Sequence, residues 1–349
     1  MLGITLSDLL HRRRQFLIAV VGAGLVFAMT LLLAGISAGF REEIRGTVQG
    51  AGASYWVIAK RGPASVSELS PIPESKLQGV AGSAGVRRAS PIIVVPQSAT
   101  SHRSQRDVIL IGVVRGGLGV PALASGRTAI ANDETVVDSS LGLQVGDRLS
   151  LSGRTVRVVG TVTGRTLLGG TPDIYVPLRT AQAIVFGGQP LASAILLQGR
   201  PVALPRDLQA VPEQVVEEKT VAQMAGAVSS IDSFRVFMWI VATVIVAALV
   251  YVAALERTRD FAVLKALGTS SVALFGGLAA QAVVVSLAAA GLGSVIANFM
   301  TGLFSQPVEI LPSTFILLPL SALVIGLLAS LVALRRAVKA DPAQAFAGG

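Results

Sequence analysis

The first residues to test for chemistry are Gly35-Ile36-Ser37-Ala38-Gly39, which match the G-x-S-x-G pattern of an activated serine. That pattern works on a strand–turn–helix elbow, with a histidine to take the serine proton and an acid to orient it. The chain has two histidines, His11 and His102. The pentapeptide sits in a long apolar run, where small residues serve helix packing. His11 would lie at the opposite end of that run, leaving only His102. Ser37 is therefore read as a helix residue, and no catalytic residue is assigned. Nucleotide hydrolysis fails on a different ground. A phosphate-cradling loop ends in Gly-Lys-Ser/Thr, but Lys60, Lys76, Lys219, Lys265 and Lys339 follow Ala, Ser, Glu, Leu and Val. The carboxylate pairs Glu42–Glu43, Asp133–Glu134 and Glu217–Glu218 are sequence neighbours, which do not share a helix face, and they read as solvated charges. Without cysteine, and with so few histidines, thiol chemistry, disulfides and the usual zinc sites are excluded. No cofactor and no metal are assigned to this chain.

Composition explains the poverty of sites. Of 349 residues, 52% are hydrophobic and 14% charged, against about 25% charged in soluble domains. The chain reads as membrane-integrated, with room for one folded domain. The net charge of +9 is spread over both termini, a central loop and residues 41–230. No basic stripe with interleaved aromatics exists, which argues against nucleic acid.

The stretch Glu256–Gly268, ERTRDFAVLKALG, organises the layout. Val236–Leu255 before it and Ala266–Val308 after it contain no Asp, Glu, Lys or Arg. About 20 apolar residues span the hydrocarbon core as a helix, so the interval is a loop between two crossings. Arg257, Arg259 and Lys265 place it on the cytoplasmic side. Phe261, Leu264 and Leu267 form one apolar stripe of a short interfacial helix. Gly268 is a fitting stop. The spacing alone also admits a plain helix–helix connection whose charges mark topology.

The run resembles the cytoplasmic loop of the FtsX-like permease family, the membrane subunits of mechanotransmission-type ABC transporters. There a Glu-Arg-x-Arg-Glu-Ile pattern continuing to Lys-Ala-Leu-Gly forms the coupling helix that docks on an ATPase. The resemblance implies that Glu256, Arg257, Arg259, Asp260, Phe261, Leu264, Lys265 and Gly268 couple to that ATPase, with Asp260 and Phe261 standing at the usual Glu-Ile positions. The segment ETVVDSSLGLQVGDRLSLSGRTVRVVGTVTG with Tyr175–Leu178 (YVPL), and IPESKLQGVAGSAGVRRASP before it, resemble the macrolide-exporter-like extracellular core domain of the same permeases. The tail RRAVKADPAQAFAG is similar to the family's closing pattern, with Gln344 in place of the usual Glu.

The expected fold is a multi-pass α-helical membrane protein with four transmembrane helices and an α+β extracytoplasmic domain inserted between helices 1 and 2. Residues 1–15 form a cytoplasmic N-terminus, and 16–50 the first crossing and a stalk ended by Gly46 and Gly50. Residues 51–218 form the α+β domain. Its strands are expected at Ser54–Ala59, Ile92–Val95, Val108–Val114 and Ala194–Gln198, with a hairpin of Arg148–Leu151 and Thr155–Thr163 around Ser152–Gly153–Arg154. Pro73–Val80 and Leu204–Leu208 are expected as short helices. Residues 219–255 return as stalk and second crossing, with Phe234, Phe237 and Trp239 at the outer aromatic belt. The coupling helix takes 256–270, the third crossing 271–303, a connector 304–312, the fourth crossing 313–334 and a cytoplasmic tail 335–349. No ionisable residue is expected inside the crossings. This argues against an ion-coupled transporter. Gly276/Ala280, Ala289/Gly293 and Gly293/Ala297 are small-xxx-small pairs that permit close helix contact, within one subunit or across a dimer seam.

The resemblance implies a permease in the bacterial plasma membrane that forms a homodimer or pairs with another permease. It would work with two ABC ATPase subunits, which supply ATP and Mg, and with a possible extracytoplasmic adaptor or substrate-binding protein. Export is the leading expectation. A transmembrane scaffold that activates an extracellular enzyme, and a small-molecule importer, stay open at this point.

Overall fold

A computed structural model describes residues 13–255 apart from 67, 69, 102 and 103, then 270–303, 308–310, 312–314, 316–317, 320–324 and 327–328. The expected coupling helix and cytoplasmic tail lie outside the described residues. The chain divides into two compact units, residues 1–38 with 227–349 and residues 39–226.

The first described element, α1 (Arg13–Gly50), is one unbroken helix of 38 residues. At 1.5 Å per residue it is about 57 Å long, well beyond a hydrocarbon core of about 30 Å. Gly46 does not end it; the helix runs on to Gly50. In the first unit α1 buries Ala23, Phe27 and Leu31 completely, a helical stripe at i, i+4 and i+8. Leu17, Ile18, Leu25 and Met29 remain exposed on other faces. Two further helices belong to this unit, α5 (Ala225–Leu255) and α6 (Ser271–Met300). Three described segments are long and apolar enough to cross a membrane: Val20–Gly50, Val228–Ala248 and Ala279–Leu303. The expected fourth crossing falls partly outside the described residues; its described positions from 312 to 328 are helical. One expectation changes. The second apolar segment begins at Val228 and so takes in Asp232 and Arg235, an ion pair 3.3 Å apart on successive turns of α5.

Helix contact in this unit rests on glycine. A Cβ at Gly293 of α6 would lie 2.7 Å from the Gly24 carbonyl oxygen and 2.8 Å from the Phe27 Cβ of α1. The two backbones therefore touch, which only a missing side chain allows. Gly35 plays a like role: its carbonyl accepts from the Glu309 amide at 3.0 Å, and a Cβ there would meet Val308 at 2.6 Å. Phe27 and Trp239 meet edge to face, their ring centroids 6.1 Å apart.

The second unit is an α+β domain. Its strands are β1 (Tyr55–Ala59), β2 (Ile72–Pro73), β3 (Arg88–Ser101), β4 (Ser104–Val113), β5 (Ser125–Gly126), β6 (Glu134–Asp138), β7 (Arg148–Leu151), β8 (Arg154–Val162), β9 (Thr166–Leu167), β10 (Thr171–Pro177), β11 (Leu191–Ala192), β12 (Ala194–Gln198) and β13 (Leu208–Pro212). Eleven of them form one sheet in the order β13-β1-β12-β3-β4-β10-β6-β8-β5, with β7 joined to β3 and β8 and β9 joined to β10. Most neighbours are antiparallel; β10 with β4 and β6 with β8 are parallel. The helices are α2 (Lys76–Ala81), α3 (Leu178–Val185) and α4 (Glu213–Gln223).

The sheet is buried on both faces, which is why its central strands read as continuous apolar runs rather than alternating ones. Ile92, Val94, Ile109, Ile111 and Val113 point into one cluster, and Ile93, Val108 and Leu110 into the other. The first cluster includes Ile44 and Val48, so the last turns of α1 are part of the domain's own core. The second is closed by α3 through Leu178 and Ala181. Gly112 makes that closure possible, since a Cβ there would sit 2.4 Å from the Ala181 Cβ.

The expected β7–β8 hairpin is present, and its turn residues Ser152 and Gly153 both have positive φ, as a two-residue type I′ turn demands. Leu204–Leu208 is not a helix. A turn closed by the Leu208 amide on the Pro205 carbonyl feeds β13, whose pairing with β1 takes precedence over local helix preference. The returning stalk is also not continuous: α4 ends at Gln223, and Met224, with ψ of 2°, breaks the helix before α5.

Gly293→Leu should force α1 and α6 apart and cost about 1–3 kcal/mol by overpacking. Gly276→Ala, where a Cβ meets nothing within 4 Å, should be neutral or gain up to about 1 kcal/mol. Thermal unfolding of the detergent-solubilised chain, followed by Trp239 fluorescence in a Trp56→Phe background, checks both.

Candidate functional site

The residues expected to couple to an ATPase, Glu256, Arg257, Arg259, Asp260, Phe261, Leu264, Lys265 and Gly268, lie outside the described residues. The small residues of α6 are described, and they divide. Ala289 and Ala297 are completely buried, and Gly293 touches α1. Gly276 faces open space and Ala280 is half-buried. Ser37 is a buried residue in the middle of α1. His11 and His102 lie outside the described residues.

What the structure assembles is a joint between the last turns of α1 and the β9–β10 hairpin. Leu168, Gly169 and Gly170, the loop of that hairpin, have φ of 57°, 84° and 87°. Successive residues of this hand turn their amides inward into a concave, anion-binding nest. The anion is Glu43 of α1. Its Oε2 accepts from the Gly169 amide at 3.0 Å and its Oε1 from the Gly170 amide at 2.7 Å and from the Thr166 hydroxyl. A side chain at Gly169 is excluded, because its Cβ would press on the Phe40 ring at 2.7 Å. Glu43 is thus not the solvated charge that its pairing with Glu42 suggested. It is 9% exposed.

Arg165 completes the joint. Its Nη1 donates to the Gly46 carbonyl at 2.6 Å, placing a cation at the carbonyl end of α1, where the helix dipole favours it. The same guanidinium leaves no room for a Cβ at Gly50. The Arg165 amide is held by Asp138 Oδ2 at 2.8 Å, and Asp138 Oδ1 accepts from the Ser140 amide at 2.9 Å. A third tie runs from Arg45, which pairs with Glu42 at 3.1 Å and with Glu217 of α4 at 3.3 Å.

Beside the joint lies Asp173 of β10, fully buried, with the Tyr175 hydroxyl donating to its Oδ2 at 3.1 Å. Burial pushes its carboxyl up to about 7; the charges of Asp138 and Glu43 act the same way, and the Tyr175 hydrogen bond and Arg165 oppose them. Glu134 of β6 shows the opposite case. Arg127 donates to both its oxygens, the Ile130 and Ala131 amides donate at 3.0 and 3.1 Å, and the carboxyl drops to about 2. It too was read as solvated and is 4% exposed. Among the described residues, no group of three His, Cys, Asp or Glu side chains is placed to hold a metal. The polar network does not converge on a reacting centre; it fastens one helix to one hairpin. Sequence carried a single hint of it, the Leu168-Gly169-Gly170 loop, but nothing named Glu43 as its ligand.

Glu43→Ala leaves the Gly169 and Gly170 amides without an acceptor and should lower stability by about 1–3 kcal/mol, read by thermal unfolding with Trp56 fluorescence in a Trp239→Phe background. Asp173 gives a pH test. Unfolded, its carboxyl ionises near about 3.9; folded, near about 7. Between these values the folded state holds the extra proton, so stability falls as pH rises from about 4 to about 7 and then levels. Asp173→Asn should remove that slope and raise stability above neutral pH in the same assay.

Comparison with known proteins matches both units. Residues 16–218 match the family described as MacB-like periplasmic core domain, and residues 233–342 match FtsX-like permease C-terminal. The protein is 39% identical over 348 residues, covering 100% of both chains, to an uncharacterized ABC transporter permease of Mycobacterium bovis. A second relative, an uncharacterized ABC transporter permease of Mycobacterium tuberculosis, is 37% identical over 348 residues, again with full coverage of both. Among solved structures, the chain is similar to the extracellular domain of the noncanonic ABC-type transporter YknZ from Gram-positive bacteria. There the identity is 18%, over 45% of this chain and 98% of that one, with a TM-score of 0.35. It is also similar to the periplasmic region of MacB from Actinobacillus actinomycetemcomitans, at 14% identity over 50% of this chain and 96% of that one, with a TM-score of 0.37. Full-length identity at this level, together with the two matched domains and the apolar helices, settles the family: the chain belongs to the ABC transporter permeases that join a MacB-like periplasmic core domain to an FtsX-like permease C-terminal domain.

Proposed function

We propose that this permease converts ATP hydrolysis by a separate ABC ATPase into movement of its α+β domain, which expels or hands on a substrate outside the plasma membrane. What supports this reading above all is α1. One unbroken helix contributes Phe27 and Leu31 to the core of the helical unit and Ile44 and Val48 to the core of the α+β domain. In this reading the helix is the element through which a displacement reaches the domain. Glu43 and Arg165 oppose rotation of the helix end within its seat.

In this reading four crossings place both termini and residues 256–270 in the cytoplasm, in keeping with the excess of Arg and Lys there. Two ATPase subunits, loaded with ATP and Mg, dock on Glu256–Gly268 of a homodimer or of a pair of related permeases. Closure of the ATPases pushes the loop, tilts the crossings and moves the domain. The chain itself hydrolyses nothing, and an extracytoplasmic adaptor or binding protein receives or delivers the substrate.

The test is co-expression with the cognate ATPase, followed by purification and turnover in nanodiscs. Arg257→Glu with Arg259→Glu should leave membrane insertion intact, weaken ATPase capture, and cut permease-dependent ATPase stimulation at least about tenfold, the loss of one or two charge-assisted contacts. Unchanged capture and stimulation in the double variant would overturn the assignment of this loop.

A further inference from the structure

Within the helical unit, α1, α5 and the helical positions of 312–328 line an open cavity of about 540 Å³. That size lies within the range of small-molecule sites, about 300–1,000 Å³. Its wall is mostly apolar: Leu31 and Ala34 from α1, Trp239 from α5, and Leu317, Leu320 and Val324 from the last segment. Its lining on the last segment extends from Thr314 to Val324. Arg235 is its single charged lining residue among those described. It stands one turn before Trp239, about three turns into α5, and Thr314 stands near the first described helical position of the last segment. Thr30 of α1 and Ser321 of the last segment also line it, so Arg235 and three hydroxyls are set in an otherwise apolar wall.

An arginine within an apolar span is costly to place there, and such residues mark sites. The Arg235 Nη2 contacts Asp232 at 3.3 Å, while a guanidinium carries five N–H donors in a fork suited to phosphate or carboxylate. We propose that this cavity binds an anionic amphiphile, its phosphate or carboxylate head on Arg235 and its hydrocarbon chain along Leu31, Ala34, Leu317 and Val324. The proposal rests on the exporting-permease reading only in naming that amphiphile as the substrate class; binding itself requires no ATPase. A second copy of the chain is the less suited occupant. One turn of a helix about 10–12 Å wide already displaces about 400–600 Å³, so a partner's crossing would seat only a single turn.

The test uses the full chain, purified without ATPase in phosphatidylcholine nanodiscs. The probe is a monoalkyl phosphate with a photoactivatable diazirine in its tail, set against the uncharged alcohol of the same tail. The phosphate should cross-link within 30–34 and 317–324, and the alcohol about tenfold less, the worth of a charge-assisted hydrogen bond. Arg235→Gln should lower phosphate labelling to the alcohol's level, and Asp232→Asn, which releases the guanidinium from its ion pair, should raise it. Ala34→Trp should block both probes. Equal labelling by phosphate and alcohol, unchanged in Arg235→Gln, would mean ordinary bilayer hydrocarbon and overturn the proposal. The chain has no cysteine, so Leu317→Cys is a clean reporter. Its disulfide-linked dimerisation in the membrane would show the cavity covered by a second copy and overturn the proposal equally. Because no ATPase is present, loss of coupling in the loop variants leaves this outcome untouched, and a negative result here leaves the coupling reading standing.

Discussion

The structure depends on one constraint: the same helix must satisfy two different cores. Residues 23–32 of α1 pack as a membrane-type stripe of Ala, Phe and Leu, and residues 44–51 pack beneath a twisted sheet. Between them the helix carries Arg41, Glu42, Glu43 and Arg45. Its backbone hydrogen bonds run unbroken through this charged stretch, so bending it would sacrifice bonds that nothing else replaces. Everything built at the helix end serves to hold it there.

That joint is polar where a simpler one could be apolar. A buried carboxylate is expensive unless its oxygens are met by donors. Glu43 meets two amides and a hydroxyl, and Arg165 answers the exposed carbonyls of the helix end. Apolar packing resists separation but tolerates sliding, because dispersion is not directional. Hydrogen bonds to a fixed nest resist rotation and translation alike. The cost falls on Asp173, where burial above all, and then the charges of Asp138 and Glu43, keep the proton toward neutral pH.

The helical unit follows different physics. Association of helices in a membrane gains little from burying apolar surface, since the surroundings are equally apolar. Contact comes instead from glycine at Gly24 and Gly293, where backbones approach closely. The aromatic pair of Phe27 and Trp239 fills the space beside it. Arg235 is the exception to this economy, an ion-paired cation inside an apolar segment and at the wall of a cavity.

Sequence by itself determined the class of each region. Uncharged runs of membrane length, their basic borders and the return of turn residues after position 50 separate helices from an α+β domain, because hydropathy and turn chemistry act locally. The β7–β8 hairpin and the strand at Ala194–Gln198 were legible for the same reason, and the long motif at Glu256–Gly268 carried the family resemblance. Tertiary structure decided the rest. Glu43 and Thr166 are 123 residues apart, so nothing in the spacing of Glu42–Glu43 distinguishes a solvated charge from a nested one. Leu204–Leu208 has the local look of a helix start, yet pairing of β13 with β1 claims its end. Arg235 stood one residue outside a charge-free run and became part of an apolar segment only when α5 was seen to begin at Ala225. Periodicity records which face is apolar; only the fold decides which distant group meets a buried charge.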